Sequence, residues 1–219
     1  MSRFRSLDTG LCFSDRANFH RSALPKGGLA FFRAEFDCQG LRSAIAAPDS
    51  LFEHPAAILK DSRSSKAVLT QIDGLGTVFV KRNNSKGLRY ALRYLLRQSR
   101  AFRNWQAAWL LEQLSIPTPK PIAAVSFRRA LLLKSSFIIT EEVEGILSVR
   151  ELAKKLMTSE ALLDKFLADV FKHLALMHDC GISHGDLKIS NLATTAQGSD
   201  EILFAGFMDL ASMKRYSAP

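Results

Sequence analysis

Residues 182–192 read ISHGDLKISNL. The stretch gathers a His, an Asp, a Lys and an Asn around one Gly, residue types that a surface turn uses singly. Alone, the Asp-x-x-x-x-Asn pair reads as a turn closed by Asx hydrogen bonds. In combination the residues suit phosphoryl transfer, which needs an acceptor hydroxyl held in line, a carboxylate to take its proton and cations to neutralise the phosphates. Asp186 supplies that carboxylate. Asn191, five residues on, offers a neutral oxygen to Mg²⁺. Lys188 lies two residues past Asp186, so in an extended loop its ammonium points to the same side, toward a transferred phosphate. Asp209, in FMDLAS, ends an apolar strand and can bridge phosphates through a metal ion. For His184 the reading is a buried, hydrogen-bonded imidazole.

Upstream of this loop, Leu162, Leu163, Phe166, Val170, Leu174 and Met177 recur along one side of a helix predicted over 160–179, with another over 148–157. Downstream come the run LATT, a turn at AQGSD and the strand EILFAGFMDL. Earlier still, AILK, AVLTQI and GTVFVK are short β-branched runs separated by DSRSS and DGLG, the pattern of consecutive antiparallel strands. Leu88, Leu92, Leu95 and Leu96, then Trp105, Ala108, Trp109, Leu111 and Leu114, predict one long helix or two abutting ones over 86–115, and IPTPKP ends the helical stretch because proline cannot continue a helix. IAAV and SFIITEEV return to strand. The order predicts an α+β chain in two parts, with the break near Glu144 and Gly145. Residues 1–55 carry weak signals and read as an N-terminal extension with a strand or two, 56–144 as a strand-rich lobe and 145–219 as a helical lobe.

The chain has 219 residues with a globular composition, 47% apolar and 23% charged. No low-complexity tract or repeat is visible. The N-terminus lacks the apolar core of a signal peptide, and no segment approaches the ~20 apolar residues of a membrane span. Three cysteines without a C-x-x-C pair speak against a disulfide framework or a zinc site and for a reducing cytoplasm. A net charge of +9 favours anionic partners. Arg89, Arg93, Arg97, Arg100 and Arg103 recur at spacings of four, four, three and three, within a sector of about 120° on a helix. That stripe suggests an anionic membrane surface or a phosphorylated glycolipid. Nucleic acid is not expected, since no stacking platform accompanies the charge.

SHGDLKISNL followed by FMDL resembles the catalytic and metal-binding loops of the protein-kinase-like superfamily, H-R-D-x-x-x-x-N followed by D-F-G. LKDSRSSKAVLTQIDGLGTVFVKRNN and SRAFRNWQAAWLLEQLSIPTPKPIAAV resemble the first strands and the following helix of bacterial lipopolysaccharide heptose and Kdo kinases. The resemblance covers roughly residues 48–216. It implies a two-lobed kinase-like fold with a short helical second lobe, and an ATP- and Mg²⁺-dependent transfer to a hydroxyl of a lipopolysaccharide core sugar. The setting it implies is the cytoplasm, at the inner face of a bacterial inner membrane. A protein Ser/Thr kinase, another small-molecule kinase and a pseudokinase scaffold are the alternatives.

Within the resemblance, Asp186 is the base, Asn191 and Asp209 are the metal ligands, and His184 braces the loop. Lys81, in VFVKR, holds the α- and β-phosphates, and backbone groups near Glu142 and Val143 meet the adenine edge. The nucleotide-covering turn has no glycine, so Ser64, Ser65 and Lys66 are expected to take its place. The helix residue facing Lys81 is Asn104 where the family has a glutamate, with Glu112 as the other candidate. The chain ends ten residues after Asp209, which makes the second lobe minimal or shortened.

Overall fold

Alternation along GTVFVK sets the side from which Lys81 projects: Val78 and Val80 are fully buried, whereas Phe79 and Lys81 are half-buried on the opposite face. A computed structural model describes residues 7–16, 18–85, 97–130, 132–197 and 201–216. Its packing divides the chain into two units. One comprises Thr9–Gln106 and Lys120–Glu142, the other Ala107–Pro119 and the chain from Val143, with the described residues before Thr9.

The first unit is built on a seven-stranded antiparallel sheet of β1 (Phe19–Leu24), β2 (Gly28–Arg33), β3 (Ala57–Ser62), β4 (Ser65–Ile72), β5 (Gly76–Asn84), β6 (Pro121–Arg129) and β7 (Leu132–Glu141), in the order β1-β2-β6-β7-β5-β4-β3. Helix α1 (Gln39–Ala46) lays Leu41, Ala44 and Ile45 on a core with Phe32, Val68, Val78, Val80, Phe137 and Ile139. Cys38 caps this helix, its sulfur accepting the Leu41 N–H at 3.4 Å. All three cysteines are free thiols.

The strand or two expected within residues 1–55 are β1 and β2, and as members of the sheet they are not an extension. β2 pairs with β6 in the sheet interior, Phe31 opposite Ala124, and five of its six residues are buried. A strand covered on both faces loses its alternation, which is why GLAFFR carries so weak a signal. Residues before β1 are fastened as well: within this unit the Trp105 indole donates to Cys12 O at 2.7 Å and the Gln106 amide to Thr9 O at 2.7 Å.

Of the helix predicted over 86–115, the described part is α2 (Arg100–Gln113). It starts where the buried Ser99 hydroxyl accepts the Phe102 N–H at 3.2 Å. Residues 86–96, with Arg89 and Arg93, lie outside the described residues. Arg97 precedes the helix, and its carbonyl accepts from the Arg128 guanidinium at 2.6 Å. Arg100 and Arg103 are half-buried. The described arginines thus do not make one exposed helical stripe.

In the second unit Ala107, Leu110, Leu111, Leu114 and Ile116 pack with the apolar side of α4 (Glu160–Asp179), where Phe166, Val170, Leu174 and Met177 are buried. The expected boundary at 144 falls two residues after the chain's own passage at 142/143, and residues 107–119, expected in the strand-rich lobe, belong to the second unit. Each fully buried apolar side chain contributes roughly 1.5–3 kcal/mol, several times any difference in helix propensity, so packing decides this membership. Helix α3 (Val149–Leu156) opens with a capping box in which Ser148 and Glu151 satisfy each other's backbone N–H groups. After α4 come β8 (Ile182–Ser183), the antiparallel pair β9 (Leu192–Gln197) and β10 (Glu201–Phe207), and β11 (Lys214–Arg215), which returns to pair with β8. Among the described residues, no helix is long and apolar enough to cross a membrane.

Candidate active site

The chain leaves α4 through Cys180 and Gly181, the latter at φ +67°, where glycine carries no Cβ penalty. β8 then delivers His184, and the loop from His184 to Asn191 follows. A short 3-10 turn, Ile189–Asn191, brings Asn191 back beneath Asp186. The Asn191 side-chain amide donates to Asp186 O at 2.8 Å and, more weakly, to its carboxylate at 3.4 Å. Both partners are acceptors, so the NH₂ must face them, and Oδ1 is the amide atom left for a ligand. The Lys188 ammonium donates to Asp186 Oδ2 at 2.9 Å, with both side chains about half exposed. That bond first, opposed by desolvation and aided by the lysine's charge and Asn191, holds the Asp186 carboxyl below the ordinary range.

His184 is 2% exposed. Its Nε2–H donates to Met208 O at 3.0 Å, which leaves Nδ1 as the bare nitrogen, buried and without a hydrogen-bond partner. Burial pushes the imidazole below its usual pKa, against the Met208 contact and the charges of Asp186 and Asp209. The ring therefore stays neutral at pH 7 and acts as a brace, packed 5.7 Å from the Phe207 ring. Met208 N–H in turn donates to Asn191 O at 2.8 Å. Asp209 follows directly, in the left-handed region at φ 55°, ψ 48°. Beyond it, the turn Leu210–Ser212 backs onto Gly185, where an added Cβ would overlap the Ser212 carbonyl. The loop thus has glycine before Asp186 because the segment after Asp209 occupies the space of a side chain.

Asp186, Lys188, Asn191, His184 and the backbone leading to Asp209 form one hydrogen-bonded group within the second unit. Among the described residues no cluster of three or more His, Cys, Asp or Glu side chains suits a metal. Mg²⁺ does not require one, since it takes one or two protein oxygens and completes its shell with water and phosphates. The oxygens of Asn191 and Asp209 are a donor set of that kind.

Lys81 lies in the first unit, on β5, flanked in register by Ala67 on β4 and Ile138 on β7. Asn104, half-buried, belongs to the same unit as Lys81, whereas Glu112 is exposed and belongs to the other. Glu142 and Val143 follow β7, after Glu141 N–H bonds Lys120 O at 3.0 Å. The turn between β3 and β4 is tighter than the spacing implied. Only Arg63 and Ser64 lie between the paired Ser62 and Ser65, and the Ser65 N–H is taken by the Ser62 hydroxyl at 3.2 Å. Ser65 is buried, and Lys66 pairs with Asp61 at 3.3 Å. Pro117, Thr118 and Gly206 hold the end of β10 without any local sequence signal, since bonds to a distant backbone leave no pattern.

A family model described as the lipopolysaccharide kinase (Kdo/WaaP) family matches residues 61–217. A 3-deoxy-D-manno-octulosonic acid kinase of Actinobacillus succinogenes is 33% identical over 97 residues, which are 44% of this chain and 39% of that protein. A solved structure described as WaaP in complex with acyl carrier protein superposes with a TM-score of 0.54 at 18% identity, over 77% of this chain and 66% of that one. The chain therefore spans less than two thirds of each relative's length. The structural likeness is one of fold and bears out the α+β, protein-kinase-like class. With a hydrogen-bonded loop of the expected kind and a family match over most of its length, the chain belongs to the lipopolysaccharide kinase (Kdo/WaaP) family.

Proposed function

We propose that this chain transfers the terminal phosphoryl group of ATP, with Mg²⁺, to a hydroxyl of a lipopolysaccharide core sugar. The interlocked Asp186, Lys188 and Asn191 carry this reading. An aspartate kept ionised, with an ammonium 2.9 Å away, suits a reaction in which the acceptor hydroxyl loses a proton while negative charge moves between phosphate oxygens. Asp186 orients the hydroxyl and receives its proton. Lys188 offsets charge on the transferred group. Asn191 and Asp209 hold Mg²⁺, which when bound neutralises the phosphate oxygens. Lys81 grips the α- and β-phosphates, and the backbone after β7, at Glu142 and Val143, meets the adenine edge. Of the three side chains expected to cover the phosphates, Ser64 and Lys66 keep some exposure and Ser65 does not.

The family supports the core-sugar acceptor, and likeness to the Kdo kinase supports an acidic sugar as the one phosphorylated. A net charge of +9 suits such an acceptor, and an anionic membrane surface beside it. The site of action is the cytoplasmic face of the inner membrane, where ATP and the growing core are both present. The test is transfer of label from γ-labelled ATP to a Kdo-containing core oligosaccharide, beside Asp186→Asn. Transfer reduced at least about 100-fold in the variant supports the reading. Undiminished transfer removes Asp186 from its role, and nucleotide binding without transfer to any acceptor points to a scaffold.

A further inference from the structure

In the sequence, IPTPKP does no more than end a helix. In the structure it clamps the strand that leads to Asp209. Phe207 N–H donates to Pro117 O at 3.0 Å, and the Thr118 hydroxyl donates to Phe207 O at 2.9 Å. β10 reaches this position only because residue 206 is glycine. Its φ is +136°, and a Cβ there would lie 2.5 Å from the Pro117 carbonyl and 2.6 Å from Thr118 Cα. With Met208 N–H on Asn191 O and Met208 O receiving His184 Nε2–H, all four backbone polar groups of Phe207 and Met208 are fastened. Two are held by the loop containing Asp186 and two by residues 117–118.

We propose that Thr118 is a positioning residue for Asp209, its hydroxyl fixing the backbone from which the carboxylate is presented to a divalent cation. This rests on the reading of Asp209 as a cation ligand. The physical need comes from Asp209 itself. A non-glycine residue enters the left-handed region only where its surroundings impose it, and here the imposition acts on the two residues before it. Phe207 is fully buried, so removing the Thr118 hydroxyl leaves a carbonyl that water cannot readily reach. The strand end then gains freedom at the point where Asp209 must be held. Pro117 contributes a backbone carbonyl that no substitution removes, which makes Thr118 the half of the clamp whose hydrogen bond mutation can delete.

The experiment measures Mn²⁺ binding to the full chain with a non-hydrolysable ATP analogue, by water-proton relaxation, for the wild type, Thr118→Val, Thr118→Ser and Asp209→Ala. Thr118→Val keeps the shape and loses the donor, and should weaken Mn²⁺ by roughly three- to tenfold, the worth of one hydrogen bond. Thr118→Ser, which keeps the hydroxyl, should bind as the wild type does. A role in packing alone would lower the melting temperature of Thr118→Ser, which loses the methyl group, and leave the metal affinity of both folded variants unchanged. Should Thr118→Val not fold, Thr118→Ala gives the same comparison without the β-branch. Wild-type affinity in the donor-less variant, with binding lost in Asp209→Ala, overturns the positioning role alone. Wild-type affinity in Asp209→Ala overturns the ligand reading and the positioning role with it.

Discussion

The side-chain amide of Asn191 donates to the backbone oxygen of Asp186 over 2.8 Å, so the residue proposed to ligate the cation also ties down the loop bearing the proposed base. The two duties conflict under substitution. Asn191→Asp supplies a better ligand for Mg²⁺ but has no N–H to give, and it sets an acceptor against Asp186 O and its carboxylate. Phosphoryl transfer should fall by more than roughly tenfold at saturating Mg²⁺, since a lost hydrogen bond and a buried acceptor set against acceptors each cost about 1 kcal/mol or more. Steady-state rates across a Mg²⁺ titration check this, and a gain in activity would mean that the amide contact is dispensable.

With Asp186 as the proposed base, Lys188 should set the acid limb of the pH profile. Its hydrogen bond and charge are the main reason the Asp186 carboxyl lies below its usual range. Lys188→Met removes both, so the pKa returns toward the ordinary value and the fall of kcat/KM on acidification begins at a higher pH than in the wild type. The maximal rate should fall as well, because the ammonium no longer faces the transferred group. An acid limb that stays in place would assign it to another residue.

His184 gives stability a pH dependence of definite sign. The folded-state imidazole titrates below the usual value of about 6.5, so between the two values the unfolded chain binds more protons than the folded one. Stability from this group is complete above about pH 6.5 and is lost as the pH falls toward the lowered folded value. Urea midpoints between pH 5 and 7.5 should show the loss, and His184→Gln, which retains a donor for Met208 O, should flatten it.

Gly185→Ala tests the contact between the loop and the segment after Asp209. The residue sits at φ +76°, and a methyl group would overlap the Ser212 carbonyl. Backbone strain and displacement together should destabilise the protein by roughly 1–3 kcal/mol. Transfer should fall further than stability does, because the displaced turn adjoins Asp209. A thermal melt beside an activity assay separates the two effects.

Much of the fold is legible in local pattern. The strands from AILK to SFIITEEV, the helix over 160–179 and the loop around Asp186 each announce themselves within a dozen residues. The strand pair within residues 19–33 does not, since β2 is covered on both faces and its neighbour β6 lies about ninety residues away. The turn after β3 was expected as an open cover for phosphates. Ser62 closes it by bonding Ser65, a choice that side-chain hydroxyls make with their own backbone and that composition does not disclose. Arg97, Arg100 and Arg103 have a helical spacing, yet Ser99 starts α2 after Arg97, because a cap overrides periodicity.

By itself the sequence determined that Asp186, Lys188 and Asn191 meet in one loop, since the five-residue step from Asp186 to Asn191 and the two-residue step to Lys188 are short enough for backbone geometry to dictate. It also fixed the face from which Lys81 projects, through the two-residue period of a strand. Tertiary structure alone decided which nitrogen of His184 carries the proton, why 185 and 206 must be glycine, and what holds Asp209. Those answers depend on groups such as Thr118 and Phe207, 89 residues apart, that meet only once the chain has folded. A hydrogen bond to a remote backbone atom imposes no periodicity on the residues around it.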